Sequence, residues 1–178
     1  MQKVKITEVA HHILEKHINS NSIIVDATCG NGHDTLFLAQ RVKLVHAFDV
    51  QEVAINHTKA LTKDYNNVIY HHTSHENITE LIPDYDGIIF NLGYLPGSDK
   101  KILTNYVTTI HTLDLIHDRH KGFVLIVAYP GHTEGLMESV AITSWLDKNR
   151  IKYEIIKTSQ DTEKEPPFIY FWNYDNQF

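Results

Sequence analysis

The sequence predicts an α/β fold, an open and mostly parallel sheet with helices on both faces. Apolar runs of strand length alternate with segments of helical period along the whole chain. The run Ile23-Ile24-Val25-Asp26 passes through Ala27-Thr28-Cys29 into Gly30-Asn31-Gly32-His33-Asp34-Thr35, giving a buried-type strand, a glycine turn and a helix start. Near the end, Lys152 to Thr158 and Phe168 to Tyr174 leave no room for a helix between them, so they should pair antiparallel.

Taken in order, residues 4 to 18 place Val4, Ile6, Val9, Ala10, Ile13, Leu14 and Ile18 at mostly helical spacing, which predicts a leading amphipathic helix. Asn19-Ser20-Asn21-Ser22 ends it. After the glycine turn a helix should run through Leu36 to Arg41, capped by Asp34 or Thr35. Lys43 to Phe48 reads as the second strand and closes on Asp49. A helix over about Gln51 to Lys63 follows, stopped by Asp64-Tyr65-Asn66-Asn67. Val68 to His72 is the third strand, with a short helix ending near Pro83. Gly87 to Phe90 is a fourth strand, leaving through Asn91-Leu92-Gly93-Tyr94-Leu95-Pro96-Gly97-Ser98-Asp99. Ile102, Tyr106, Ile110, Leu113 and His117 mark one face of a long helix. Gly122 to Ala128 is the fifth strand, followed by Tyr129-Pro130-Gly131-His132 and a helix over 134 to 148. Phe168, Tyr170, Trp172 and Tyr174 alternate in strand fashion and read as core. Pro166 and Pro167 belong to a turn, since proline does not suit a strand interior.

A length of 178 residues suits a single domain over 1–178. No apolar run approaches the roughly 20 residues that span a bilayer, and the amino terminus lacks a signal-peptide pattern, so the expectation is a cytoplasmic protein with no membrane partner. Cys29 is the only cysteine, which excludes an internal disulfide; inside the glycine turn it reads as a small packing residue. A net charge of -6 excludes a surface coated in basic residues, although Lys100-Lys101, Arg119-His120-Lys121 and Lys148-Arg150-Lys152 are local clusters. No metal site is predicted: thirteen histidines are many, but none joins a cysteine or acid at ligand spacing, and the strand period puts His71 and His72 on opposite faces.

The glycine turn at the end of a parallel strand exposes backbone N–H groups to a ligand. A dinucleotide fingerprint closes with a third small residue, and Thr35 stands there instead. Asp26 before the glycines and Asp49 at the end of the next strand suit S-adenosyl-L-methionine (SAM) better, although a ribose-binding Asp49 serves NAD as well. The second chemical stretch is the exit of the fourth strand at Asn91.

Val25-Asp26-Ala27-Thr28-Cys29-Gly30-Asn31-Gly32-His33-Asp34-Thr35 and Asn91-Leu92-Gly93-Tyr94-Leu95-Pro96-Gly97 together resemble class I SAM-dependent methyltransferases, and within them the rRNA methylase family that includes bacterial MnmM-type tRNA 5-aminomethyl-2-thiouridine methyltransferases. The resemblance implies a Rossmann-like fold of seven strands with an antiparallel last strand. It also implies that Asp26, Gly30, Asn31 and Gly32 line the methionine end of SAM, that Asp49 and Gln51 hold its ribose, and that Ser74 and His75 lie near the adenine. Asn91 and Tyr94 occupy the first and last places of the Asn-Pro-Pro-Tyr motif of amino-group methyltransferases, with Leu92 and Gly93 in place of the prolines.

On this reading Asn91 aims the lone pair of a target amine and Tyr94 stacks beside an extruded base. Gly93, Leu95, Pro96 and His132 are expected substrate contacts, and Lys100, Lys101, Arg119 and Lys121 are candidates for RNA phosphates. The implied substrate is the 5-aminomethyl group of a (2-thio)uridine at the wobble position, presented by the tRNA anticodon stem-loop. A methyltransferase acting on rRNA or a small amine, and a nucleotide-binding module without transferase activity, are the alternatives. The oligomeric state stays open, a homodimer included.

Overall fold

Ile23, Ile24 and Val25 are β-branched and enclosed on both sides, and the strand they form, β1 (Ile23–Asp26), is the reference for every other strand. The computed structural model describes residues 3–93, 106–158 and 165–177. From β1 the chain steps outward through β2 (Leu44–Asp49) to β3 (Val68–His72), then returns to the opposite side of β1 with β4 (Gly87–Asn91) and β5 (Phe123–Ala128). All these pairings are parallel. β6 (Glu154–Lys157) and β7 (Phe168–Asn173) complete a seven-stranded sheet of order β3-β2-β1-β4-β5-β7-β6, with β7 antiparallel to both its neighbours.

The last two strands do pair as their spacing predicts, but β7 is inserted between β5 and β6. Their composition accounts for the order. Phe168 through Trp172 are buried without interruption, which demands cover on both faces and both edges. Exposed Glu154, Ile155 and Lys157 suit the outer position, where charge blunts further strand pairing.

Side chains sort by the strand period of two. Ile24, Val45, Ile89, Leu125, Val127 and Ile169 meet α1 (Ile6–Glu15) and α2 (His33–Ala39) through Ile6, Ala10, Leu14, Phe37 and Leu38. α3 (Glu52–Leu61) lies on the same face, with Ile55 against Ala47 and Cys29. On the other face Val25, Phe48, Ile88, Phe90, Val124, Ile126, Tyr170 and Trp172 meet α4 (Ile78–Leu81), α5 (Tyr106–Arg119) and α6 (Thr133–Lys148). Each fully buried aliphatic or phenyl side chain stabilises the fold by about 1.5–3 kcal/mol.

Two local expectations are corrected. The inner face of α5 is Thr109, Thr112, Leu113 and Ile116, while Tyr106 is exposed and Ile102 lies outside the described residues. Threonine tolerates this burial because each hydroxyl has a partner: Thr109 donates to Glu138 and Thr112 donates to the Thr108 carbonyl. The start of α2 is capped neither by Asp34 nor by Thr35. Gly32 is its N-cap residue at φ 88°, and a Cβ there would lie 2.8 Å from the Thr58 Cα of α3.

Candidate active site

Strand order reverses between β2-β1 and β1-β4, so the connections after β1 and β4 diverge and leave a crevice at the carboxyl ends of these strands. The glycine turn forms one wall. Gly30 (φ 52°) and Gly32 turn the backbone, and Gly32 N–H donates to the Cys29 carbonyl at 2.8 Å. Cys29 N–H donates to the Phe48 carbonyl and the Thr58 hydroxyl to the Gly30 carbonyl, which ties the turn to β2 and α3. Cys29 packs as a small apolar residue, and burial pushes its thiol far up from the usual range.

Asp49 ends β2 at the rim. One carboxylate oxygen accepts from Gly30 N–H at 3.1 Å and the other from Gln51 N–H at 2.9 Å. Gln51 itself is the N-cap residue of α3. The carboxylate is thus fixed by backbone donors and remains partly exposed, with lone pairs left for vicinal hydroxyls. Asn31 stands beside it on the turn, its side-chain carbonyl 3.1 Å from His57 Nδ1.

Asp26 does not face the crevice as expected. It is fully buried, accepting from the Thr35 hydroxyl at 2.7 Å and Thr28 N–H at 3.3 Å, so it shapes the turn from beneath. Burial, and then the negative charge of Asp34, push its carboxyl up to about 8. After β3, Ser74 caps a turn by accepting from Glu76 N–H. His75 is buried, with Nδ1 2.6 Å from the Thr112 hydroxyl, and burial holds it at about 4. The expected adenine neighbours therefore brace the segment between β3 and α4 against α5, with His75 itself buried.

The wall opposite the turn is the end of β4. Asn91 N–H donates to the Thr28 hydroxyl at 2.7 Å, joining β4 directly to the glycine turn. The Asn91 amide donates through Nδ2 to Asp34 at 3.4 Å, and its Oδ1 lies 3.5 Å from Gly93 N. The Tyr129 phenol, which leaves β5, hydrogen-bonds the same amide; burial first, then the charge of Asp34, raise that phenol above its usual range. His132 caps α6 by accepting from Gly135 N–H at 3.1 Å, so this nitrogen serves the helix. Tyr94, Leu95, Pro96, Lys100 and Lys101 lie outside the described residues.

Arg119 and Lys121 are not beside this crevice. α5 runs against the direction of the strands for 14 residues, about 21 Å, so its end reaches the opposite edge of the sheet. There the Arg119 guanidinium donates to the Thr79 and Ile82 carbonyls, and Lys121 pairs with Asp84. Their expected role toward RNA is corrected to a structural one. The residue that sequence reasoning passed over is Asp34, taken there for a helix cap; nothing in its local pattern signals contacts with His11 and Asn91, 23 and 57 residues away.

Two solved structures superpose on nearly the whole chain. A Streptococcus mutans protein described as "a putative methyltransferase", solved in complex with SAH, is 29% identical, covers 96% of this chain and 98% of its own, and has a TM-score of 0.83. A Clostridium thermocellum protein described as a "putative rRNA-methylase" is 28% identical with the same coverage and a TM-score of 0.85. Fold and crevice together define a Rossmann-like methyltransferase, the class whose cofactor is SAM.

A family model described as "Putative rRNA methylase" matches residues 45–173. The chain belongs to that family. A chloroplastic tRNA (mnm(5)s(2)U34)-methyltransferase of Arabidopsis thaliana is 35% identical over 153 residues, 75% of this chain and 56% of the relative, so the chain spans about half the length of that protein.

Proposed function

We propose that this protein transfers the methyl group of SAM to the 5-aminomethyl nitrogen of a wobble (2-thio)uridine in the anticodon stem-loop of tRNA. The Asn91 amide carries the reading: it is an oriented carbonyl acceptor beside the glycine turn. The name of the Arabidopsis relative supports the nucleoside.

The residues present fit SAM. Asp49 would take its ribose hydroxyls, and the backbone from Gly30 to Gly32 its methionine end. Bound there, SAM supplies a methyl group on a good leaving group, so the protein's task is placement and exclusion of water. Asn91 Oδ1 accepts one N–H of the neutral amine and thereby points the nitrogen lone pair. A new N–C bond forms as the S–CH₃ bond breaks with its electrons passing to sulfur, leaving a methylammonium that then loses a proton. The hydrogen bond from Asn91 N–H to Thr28 holds this acceptor in register with the turn.

The test is incubation of purified protein and SAM with tRNA bearing 5-aminomethyl-2-thiouridine, followed by nucleoside mass spectrometry. One added methyl, giving 5-methylaminomethyl-2-thiouridine, is expected. No conversion, with methylation of an rRNA fragment or a small free amine instead, would refute this substrate.

A further inference from the structure

A primary alkylamine arrives as an ammonium ion at neutral pH and has no lone pair to offer. The Asn91 carbonyl can accept a hydrogen bond from it but cannot remove its proton. Asp34 stands next to that amide, on its nitrogen side. Its Oδ1 lies 2.6 Å from His11 Nε2 and its Oδ2 lies 3.4 Å from Asn91 Nδ2. A carboxylate only accepts, so both nitrogens donate, which directs Asn91 Nδ2 toward Asp34 and leaves Oδ1 on the other side of the amide. The imidazole is held in turn by α1 and by stacking on Phe37, with ring centroids 3.9 Å apart and planes 14° apart. The Asp34 side chain keeps 17% of its surface and the His11 side chain 25%, so a ligand can reach the carboxylate while little water surrounds it.

We infer that Asp34, oriented by His11, attracts the protonated target amine to Asn91 and takes its proton before methyl transfer. This rests on the amine reading given above. In the step, an N–H bond of the ammonium breaks, its electron pair stays on nitrogen as the attacking lone pair, and the proton forms an O–H bond at Asp34 Oδ2. His11 keeps its Nε2 proton throughout and holds Oδ1, so that Oδ2 is the oxygen presented. The proton then leaves Oδ2 for solvent, and Asp34 is a carboxylate again for the next turnover.

The titratable and charged groups around Asp34 come from several elements. Asp26 faces Asp34 from β1, Tyr129 from the end of β5, and His11 from α1; the guanidinium of Arg41 lies 3.8 Å from the Phe37 ring that His11 also covers. Burial pushes the Asp26 carboxyl up to about 8 and the Tyr129 phenol above its usual range, which disfavours a second negative charge beside Asp34.

The test is single-turnover methyl transfer to aminomethyl-bearing tRNA from pH 6 to pH 10, run alongside calorimetric titration with SAM. Asp34→Asn should bind SAM within about threefold of the parent. Its rate at pH 7 should fall about a hundredfold or more, the usual contribution of a positioned proton acceptor, and recover as pH rises and the amine arrives already neutral. His11→Ala should show a smaller loss with the same recovery, and His11→Gln, which keeps an N–H donor, should restore part of it. An Asp34→Asn protein as fast as the parent at pH 7 would overturn the assignment, as would a loss that stays constant to pH 10. A parent that does not methylate this tRNA at any pH would instead sink the substrate reading, and this inference with it.

Discussion

Replacing Asp49 by alanine removes a carboxylate that organises the glycine-turn wall of the crevice from two directions. Inside the protein it accepts from Gly30 N–H at 3.1 Å and Gln51 N–H at 2.9 Å. Toward the crevice its remaining lone pairs would take the ribose hydroxyls of SAM. A hydrogen bond to a charged group contributes about 1.5–3 kcal/mol, so losing the ribose acceptor alone should weaken SAM about ten- to a hundredfold. Water can replace the carboxylate at the half-exposed Gly30 and Gln51 amides, so the turn should loosen without unfolding the protein. Asp49→Asn is the informative companion. Its amide has one oxygen for two backbone donors, and its NH₂ must face either Gly30 N–H or Gln51 N–H, donor against donor. It should therefore bind SAM no better than the alanine variant. Calorimetric titration of folded protein with SAM measures both variants. Parental affinity in Asp49→Ala would refute the ribose assignment, and parental affinity in Asp49→Asn would refute the argument from the backbone donors.

Three further outcomes follow from packing and burial. In Gly135→Ala, the new Cβ would lie 1.8 Å from the Tyr129 carbonyl oxygen, so the first turn of α6 must move; a loss of about 1–3 kcal/mol is expected in urea unfolding, and an unchanged midpoint would contradict the contact. His75 has an ordinary value of 6.5 and is held at about 4 in the fold, so the unfolded chain takes the proton first. Its contribution is complete above pH 6.5 and is lost as pH falls toward 4, a change of about 3 kcal/mol. Urea midpoints at pH 7 and pH 4.5 should differ less in His75→Gln than in the parent. Glu138 is the opposite case: raised to about 7 by burial, it stabilises the fold below its ordinary 4.5 and loses that contribution as pH rises through 7. Glu138→Gln keeps an acceptor for Thr109 without the buried charge, so its stability relative to the parent should rise between pH 5 and pH 8.5. A constant difference would remove the burial argument.

The strands of the sheet and both walls of the crevice were legible because they depend on short-range pattern. β-branched runs mark buried strands, glycines mark a turn that needs positive φ, and Asp49 and Asn91 stand where their strands end. What depended on distant partners was not legible. Nothing beside Asp34 in the chain announces His11, and nothing beside Thr109 announces Glu138, since each pairing is created only when helices meet. The threonine-lined face of α5 defeated a reading based on hydrophobic spacing for the same reason: a buried hydroxyl is acceptable once its partner is present, and the partner is elsewhere. Arg119 and Lys121 looked available to phosphates as a local charge cluster, whereas helix length and direction carry them to the far edge.

The position of β7 governs the order in which this chain can finish folding during synthesis. β5 is complete once Ala128 is made, yet its outer edge is paired only by Phe168–Asn173, with Phe123 matched to Asn173 and Ala128 to Phe168. At translation speeds of about 5–20 residues per second, that apolar edge stays bare for several seconds on the ribosome. β6 is made in the interval but pairs only with β7, so it offers the nascent sheet no cover. Closure of the core therefore waits for Phe168–Asn173 to be made. A polypeptide cut short before Phe168 would carry β1 to β5 with a sticky sheet edge on β5.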